Sequence, residues 1–225
     1  MVLVRIIKDP KERKSEIMNA AWELFDTKGY EETTVNEIIE KAGIAKGTFY
    51  YYFKSKDEVL NAGIERGFEN QIQGLRHIVD DNSINAIEKF KKILYENEKM
   101  HSDHNDLIEY LHKKENVVMH QKSLVHSIKK YAPVISEIIS QGISEKLFKT
   151  EYPLELAEFL LVGMNFLLDP SIFPWEKEEY LARMKSMEDV IETTLRAEKG
   201  SFSFMSSMAE DMYSHENPMK RGRCI

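Results

Sequence analysis

The feature of this chain that most constrains its fold is a series of three helix-start signals in its first 60 residues. Asp9 provides an N-cap acceptor directly before a proline, which is favoured at the first position of a helix. Thr34 and Ser55 are each followed three residues later by Glu, the spacing of a capping box. These signals predict helices over 10–28 and 35–42, and a longer helix from residue 55 onward.

A fourth, short helix is predicted between the second capped helix and Ser55. Phe49 and Phe53 lie one turn apart, which indicates a helix over 46–53 with one apolar side. Gly43 stands where the preceding helix ends, because glycine tolerates the left-handed conformation at that position. A helix, a short turn and a second short helix form a helix-turn-helix, whose second helix enters the DNA major groove.

Composition supports a helical chain. The 225 residues include 10 Gly and 6 Pro, about 7% together against an average near 12%, which argues against a sandwich or barrel. The length predicts between one and two domains. The single cysteine, Cys224, excludes an internal disulfide and is consistent with the reducing cytoplasm. The most apolar stretch, 159–168, is about half a membrane span, and the N-terminus has no secretory pattern, so no membrane role is predicted.

Apolar spacing continues to predict helices beyond residue 55. The helix from 55 keeps an apolar residue every three or four positions as far as Val79, so it can connect two domains. Later helical patterns cover 84–101, 106–131, 133–148, 154–169 and 176–197. Pro133 is expected to start or kink a helix. Residues 200–225 are predicted to be a weakly ordered tail with one helix near 205–214.

Charge is distributed unevenly along the chain. The formal net charge is −7, which by itself does not favour nucleic acid. Residues 41–56, however, contain four lysines and no acidic residue. Residues 61–225 hold 21 basic and 27 acidic residues, so most of the negative charge lies outside the helix-turn-helix. The sequence therefore predicts a local basic surface on an otherwise acidic protein.

Residues 13–60 closely resemble the tetracycline-repressor (TetR) family of bacterial regulators. The likeness rests on the Lys28-Gly29-Tyr30 turn, the run from Ala42 to Phe53 and the Lys54–Glu58 entry to the next helix. A weaker likeness continues over 131–145, after which Lys146 stands where the family often has glycine. The resemblance implies an all-α subunit with a three-helix DNA-binding head and a helical body for effector binding and dimerisation. These units are expected at 9–54 and 55–199, with 55–79 as the connecting helix.

The resemblance also implies eight DNA-contacting residues, at the start of the second helix, along the recognition helix and at the start of the long helix that follows: Thr34, Lys46, Gly47, Thr48, Tyr50, Tyr51, Tyr52 and Lys56. The three that begin the recognition helix are expected to face base edges, and Thr34 and Lys56 to bind phosphates from the flanks. Tyr50 and Tyr52 are expected to contact phosphates or the groove wall, and Tyr51 is expected to pack on bases or thymine methyl groups. Three consecutive residues span about 200° of a helix, so at least two of the tyrosines should face the DNA. Phe49 and Phe53 are assigned to the core of the head.

The expected partners are a double-stranded DNA operator, a second copy of the chain and a small-molecule effector of unknown identity. The chain is expected to act as a repressor that binds an inverted-repeat operator as a homodimer. Binding of the effector is expected to release it from the DNA. The expected walls of the effector site are Phe90, Leu94, Met119 and Phe166. The expected dimer-interface residues are Phe159, Leu161, Met184 and Ile191.

Two other functions remain open from the residues alone. Glu98 with His101 and Glu109 with His112 each place a carboxylate and an imidazole on one helix face, a pattern found in di-iron helical bundles. That pattern would fit a metal-dependent oxidase, although two further carboxylates would be needed. The third hypothesis is a DNA-binding adaptor whose body binds a protein. The favoured interpretation is a cytoplasmic regulator that is not an enzyme, with no catalytic residue, metal site or cofactor assigned.

Overall fold

The computed structural model describes residues 9–103, 117–169 and 171–215. Within these ranges the chain forms nine α-helices and no strand, which confirms the predicted all-α fold. No helix in the described ranges is long and apolar enough to cross a membrane. The helices are α1 (Pro10–Lys28), α2 (Val35–Lys41), α3 (Lys46–Tyr52), α4 (Lys56–Val79), α5 (Ala86–Asp103), α6 (Val117–Ser144), α7 (Pro153–Leu167), α8 (Lys177–Leu195) and α9 (Phe204–His215).

The buried apolar side chains form two separate clusters. The head cluster lies among α1, α2, α3 and the first half of α4, and Met119 of α6 also enters it. Its twelve buried residues are Ile17, Met18, Ala21, Phe25, Tyr30, Ile38, Phe49, Phe53, Val59, Leu60, Ile64 and Met119. The body cluster joins the end of α4 to α5–α9 and is centred on residues such as Leu75, Ile138, Leu160 and Phe202. The chain is therefore organised around two cores.

One helix belongs to both cores. The 24 residues of α4 extend over about 36 Å. Its first turns bury Leu60 and Ile64 in the head cluster, and its last turn buries Ile78 in the body cluster. At Gly63, an added Cβ would lie 2.4 Å from the Trp22 indole, so this glycine permits the close approach of α1 and α4.

Helices α6 and α7 form an antiparallel pair in the body. Asn165 Nδ2 donates to Ser127 Oγ at 3.0 Å, and His120 Nε2 lies 2.8 Å from Oδ2 of Asp169, directly after α7. The earlier residue of α6 pairs with the later residue near α7, which defines the antiparallel direction. Asp169 is fully buried, so the apolar interface contains a polar pair at this end.

Pro133, which is expected to start or kink a helix, does not start one, because α6 runs from Val117 to Ser144 without ending there. A kink at Pro133 stays a prediction. Ala132 and Val134, on either side of the proline, are buried in the body cluster. We infer that this packing outweighs the backbone hydrogen bond that proline removes. Tertiary contact thus overrides the local signal.

The C-terminal end of α6 has a left-handed residue that is not glycine. Lys146 has φ +63°. The Lys146 N–H donates to Ile143 O at 3.1 Å and the Leu147 N–H to Gly142 O at 2.8 Å, which is the pairing of a Schellman motif. The position where the resemblance leads one to expect glycine therefore has the backbone conformation that glycine favours.

The segment after residue 200 is more ordered than predicted. The expected helix near 205–214 is present as α9, but Phe202, Met205 and Ala209 are buried in the body cluster. Glu188 Oε1 accepts from Ser206 N at 2.6 Å, and Glu192 Oε1 accepts from Phe202 N at 3.0 Å. Two carboxylates of α8 thus satisfy backbone donors around the start of α9, where negative charge is favourable. The expectation of a weak tail is wrong for residues 200–211, and residues 216–225 lie outside the described ranges.

We predict that Lys146→Gly raises the free energy of unfolding by about 0.5–1 kcal/mol, because glycine adopts positive φ without the steric cost of a Cβ atom. Chemical denaturation measures this change. The matched control is Lys149→Gly, which removes an exposed lysine nearby at a residue without positive φ, and it should give no gain. Equal effects of the two substitutions would contradict the explanation from backbone strain.

Candidate nucleic-acid interface

Helix α2 begins with the capping box that the sequence predicts. The Thr34 N–H donates to Glu37 Oε2 at 2.8 Å, and the Glu37 N–H donates to Thr34 Oγ1 at 3.3 Å. A hydrogen bond from Lys28, followed by those from Thr34, lowers the pKa of Glu37 to about 2. The carboxylate therefore remains ionised near neutral pH, and the cap persists.

A tight turn connects α2 to α3. Gly43 has φ +62°, and its N–H donates to Glu40 O at 3.0 Å. The Ile44 N–H then donates to Ile39 O at 3.2 Å, which closes the end of α2. An L-residue at position 43 would be strained, so this glycine sets the direction in which the chain enters α3.

Helix α3 has one buried and one open side. Phe49 and Phe53 are buried in the head cluster, as predicted. Tyr50 is 48% exposed and Tyr51 is 79% exposed, whereas Tyr52 packs partly against the head cluster. An aromatic side chain exposed to this degree on a short helix gains little from folding. Two of the three tyrosines are thus available to a partner.

The other predicted DNA contacts cluster on the starts of α2 and α3. Thr34, Lys46 and Gly47 are exposed, and Thr48 is half-buried. Lys41 forms an ion pair with Glu23 at 2.7 Å, whereas Lys46 and Lys54 form none within the described part of the chain. The positive charge of this stretch is therefore least compensated around α3. That these residues touch DNA remains a prediction.

Lys56 has partners within the protein. Its Nζ donates to Tyr30 O at 2.7 Å and to Glu31 O at 2.9 Å, and it lies 4.4 Å from the centroid of the Tyr30 ring. Lys56 thus connects the start of α4 to the turn between α1 and α2. A contact with phosphate, which the resemblance implies, would have to share this ammonium with two carbonyl groups.

Sequence reasoning missed a set of contacts between the body helix α6 and the head. Met119, expected in the effector site, has no exposed surface and lies in the head cluster. Lys122 Nζ lies 3.0 Å from Asp57 Oδ1 and 3.1 Å from Oδ2, and Tyr30 OH donates to Oδ1 at 3.2 Å. The Lys122 ammonium lowers the pKa of Asp57 below its ordinary value. Nothing in the local sequence pattern connects residues 57 and 122.

The structure does not bring the four expected effector-site residues together. Phe90 and Leu94 pack against the body cluster, with the Phe90 ring 5.5 Å from that of Phe202. Phe166 is about half exposed and lies edge-on to Phe173. Met119 is in the other cluster. These four residues therefore do not share one apolar cluster, because helical periodicity does not determine which core each face enters, and the expected effector pocket stays a prediction.

The expected dimer-interface residues divide in a similar way. Phe159 is 68% exposed, and Leu161 packs partly against the body cluster. Met184 and Ile191 are buried inside the subunit, beneath α9 and the other body helices, and cannot lie at its surface. Of the apolar residues exposed on α7, which also include Leu154 and Leu167, Phe159, Val162 and Phe166 follow one another at steps of three and four on one helix face.

The side chains of the proposed oxidase site are not among those that the structure describes. Glu109 and His112 belong to 104–116, and the side chains of Glu98 and His101 are likewise not described. Among the described residues, no group of three or more potential ligands is positioned for a metal ion.

Comparison with known proteins finds a family model for a segment of the head and another for a segment of the body. A family model described as bacterial regulatory proteins, tetR family, matches residues 17–62. A second, described as tetracyclin repressor-like, C-terminal domain, matches residues 99–190. Together the two models cover more than half of the chain. The head and the body therefore match parts of one family.

Individual relatives agree with this assignment. The fatty acid metabolism regulator protein of Bacillus subtilis is 23% identical over 171 residues, covering 75% of this chain and 86% of that protein. A TetR-family transcriptional regulator from Syntrophomonas wolfei has a similar fold, with a TM-score of 0.59, 18% identity and coverage of 93% and 99%. The transcriptional regulator FadR of Bacillus subtilis, solved in complex with stearoyl-CoA, has a TM-score of 0.53, 20% identity and coverage of 90% and 99%.

The fold and the open face of α3 define an all-α, helix-turn-helix DNA-binding transcriptional regulator. The chain belongs to the TetR family of bacterial regulators. The relatives it matches are transcriptional regulators, and the comparisons give no support to an oxidase.

We predict that Thr48→Ala reduces the preference for the operator over random DNA by about 1 kcal/mol, roughly fivefold, because a lost base-edge contact costs only the specific complex. Titration of both duplexes, with an operator selected from a random library by the wild-type chain, measures this ratio. Thr27→Ala is the matched control, since Thr27 is exposed on α1 and its hydroxyl bonds to Glu23 O of its own helix. An equal loss on both duplexes would count against base reading by Thr48.

Proposed function

We propose that this regulator is a repressor that binds an inverted-repeat operator as a homodimer and leaves it when a small molecule binds the body. A symmetric dimer presents two recognition helices related by a two-fold axis, and these match two half-sites about one helical turn apart. Lys46, Gly47 and Thr48 would read base edges in each half-site. Tyr50, Tyr51, Thr34 and Lys56 would contact the phosphates, the groove wall or the bases beside them.

The observation that carries this proposal is the course of α4. The helix begins directly after the recognition helix and ends in the body cluster, so the two units are joined by about 36 Å of continuous helix. A small displacement of the body end changes the position of the head. In a dimer, that movement alters the distance between the two recognition helices.

The apolar face of α7 supports the dimer. Phe159, Val162 and Phe166 form a row of exposed apolar side chains that no other described helix covers. Apolar rows of this kind on a regulator surface are typical of an interface. We propose that the same row of a second copy covers it, in place of the interface through Met184 and Ile191.

We predict that Phe159→Glu weakens dimerisation by about 2 kcal/mol or more, because it places a charge at the centre of an apolar contact. Light scattering across a micromolar concentration series measures this change. Tyr95→Glu is the control, since Tyr95 is an exposed aromatic residue on α5, a different helix from the row. A Phe159→Glu variant as dimeric as the control would contradict this interface, and a monomeric wild-type chain would contradict the homodimer itself.

We further propose an effector with a long apolar chain, with acyl-CoA thioesters as the first candidates. Support comes from the similar regulator solved in complex with stearoyl-CoA, and from the similarity to a fatty acid metabolism regulator. In the body of this chain, the α6–α7 interface combines apolar packing with the His120–Asp169 and Ser127–Asn165 pairs. A site near such an interface offers polar groups for one end of a ligand and apolar walls for the other.

We predict that one member of an acyl-CoA series of increasing chain length raises the thermal midpoint and lowers operator affinity by about 5–150-fold. Differential scanning fluorimetry and operator titration give the two measurements, with free coenzyme A as the matched control. A compound that stabilises the chain but leaves operator affinity unchanged would contradict the coupling through α4. No stabilisation by any acyl chain beyond that of coenzyme A would contradict the effector class.

A further inference from the structure

The first turns of α6 contact the head and the body at the same time. Met119 is completely buried in the head cluster, whereas the adjacent His120 lies 2.8 Å from the buried Asp169 of the body. Successive residues of a helix point about 100° apart, so the two side chains leave α6 in different directions. Lys122, one turn after Met119, again reaches the head, where its ammonium lies 3.0 Å from Asp57.

The carboxylate of Asp57 connects the body helix α6 to the turn between α1 and α2 in the head. Asp57 lies in the first turn of α4, and it accepts hydrogen bonds from Lys122 Nζ, Tyr30 OH and Asn61 Nδ2. Tyr30 follows α1 in the turn to α2, and its backbone carbonyl holds Lys56. A polar chain thus runs from α6 to Asp57 in the first turn of α4, and from there to Tyr30 in the turn between α1 and α2.

We propose that Lys122, a residue of the body, is a positioning residue for DNA recognition: through Asp57 it holds the head at the orientation that the operator spacing requires. The proposal rests on the proposed binding of an inverted repeat by a homodimer. Lys122 itself need not touch DNA. Because the pair is 29% and 48% exposed and Met119 remains in place without it, the expected effect is modest.

The test uses full-length chain and an operator duplex selected by the wild-type chain, together with the same duplex carrying one added base pair between the half-sites. The insertion rotates one half-site by about 34°, so a rigid dimer discriminates against it. Lys122→Met should reduce the ratio of the two affinities about two- to fivefold. Asp57→Asn should reduce it similarly, and the double variant no further, because both remove the same pair. Lys122→Arg should keep the ratio at the wild-type value, because arginine retains the positive charge that pairs with Asp57.

The matched control is Lys129→Met, which removes an exposed lysine from the same helix. It should leave the ratio and the thermal midpoint at the wild-type values. The inference is overturned if Lys122→Met behaves like Lys129→Met, or if it lowers the thermal midpoint without changing the ratio. It is also overturned if Lys122→Met reduces the slope of log affinity against log salt by about one, since Lys122 would then be a phosphate contact.

A failure of this inference can be told apart from a failure of the proposed function. If the wild-type chain selects no inverted repeat from the library, the proposed function fails, and with it the inference. If the wild-type chain binds a selected repeat and discriminates against the insertion, the function stands, and the Lys122 variants decide the inference alone.

Discussion

The arrangement of the molecule depends on the burial of one helix in two separate cores. Helix α4 contributes Leu60 and Ile64 to the head cluster and Ile78 to the body cluster, and no break interrupts the helix between them. Since each core excludes water at its own end of the rod, neither end can move freely without exposing apolar surface. Head and body are therefore mechanically connected, although each has its own packing.

Ion pairs between α4 and α6 determine how these two helices are aligned along their length. The pairs Lys122–Asp57, Lys130–Glu65 and Arg76–Glu137 occur in succession between α4 and α6. Each is partly exposed and contributes little to stability by itself. Their common effect is to specify how the two helices lie against each other, because a shift along the axis would separate all three. Apolar burial thus stabilises the contact between α4 and α6, and the ion pairs specify the axial position of one helix relative to the other.

The segment after α8 shows how charge can complete a core. Glu188 and Glu192 lie one turn apart on α8 and are nearly buried, yet each accepts a backbone N–H at the start of α9. These bonds compensate the carboxylates for the loss of water. They also position Phe202 among the aromatic rings of Phe90 and Phe148. A region whose composition suggests a loose tail is thereby part of the body.

The sequence alone determined the helices of the head and their turns, because caps, positive-φ glycines and one-turn apolar spacing act over a few residues. It also indicated an open face of α3, because three consecutive tyrosines could not all be buried with Phe49 and Phe53, and the structure leaves Tyr50 and Tyr51 exposed. Only the tertiary structure decided which core receives each face: Met119 entered the head, Met184 and Ile191 the body, and Phe202 the aromatic cluster. These choices depend on contacts between residues far apart in the chain, and helical periodicity carries no information about which distant surface an apolar face will meet.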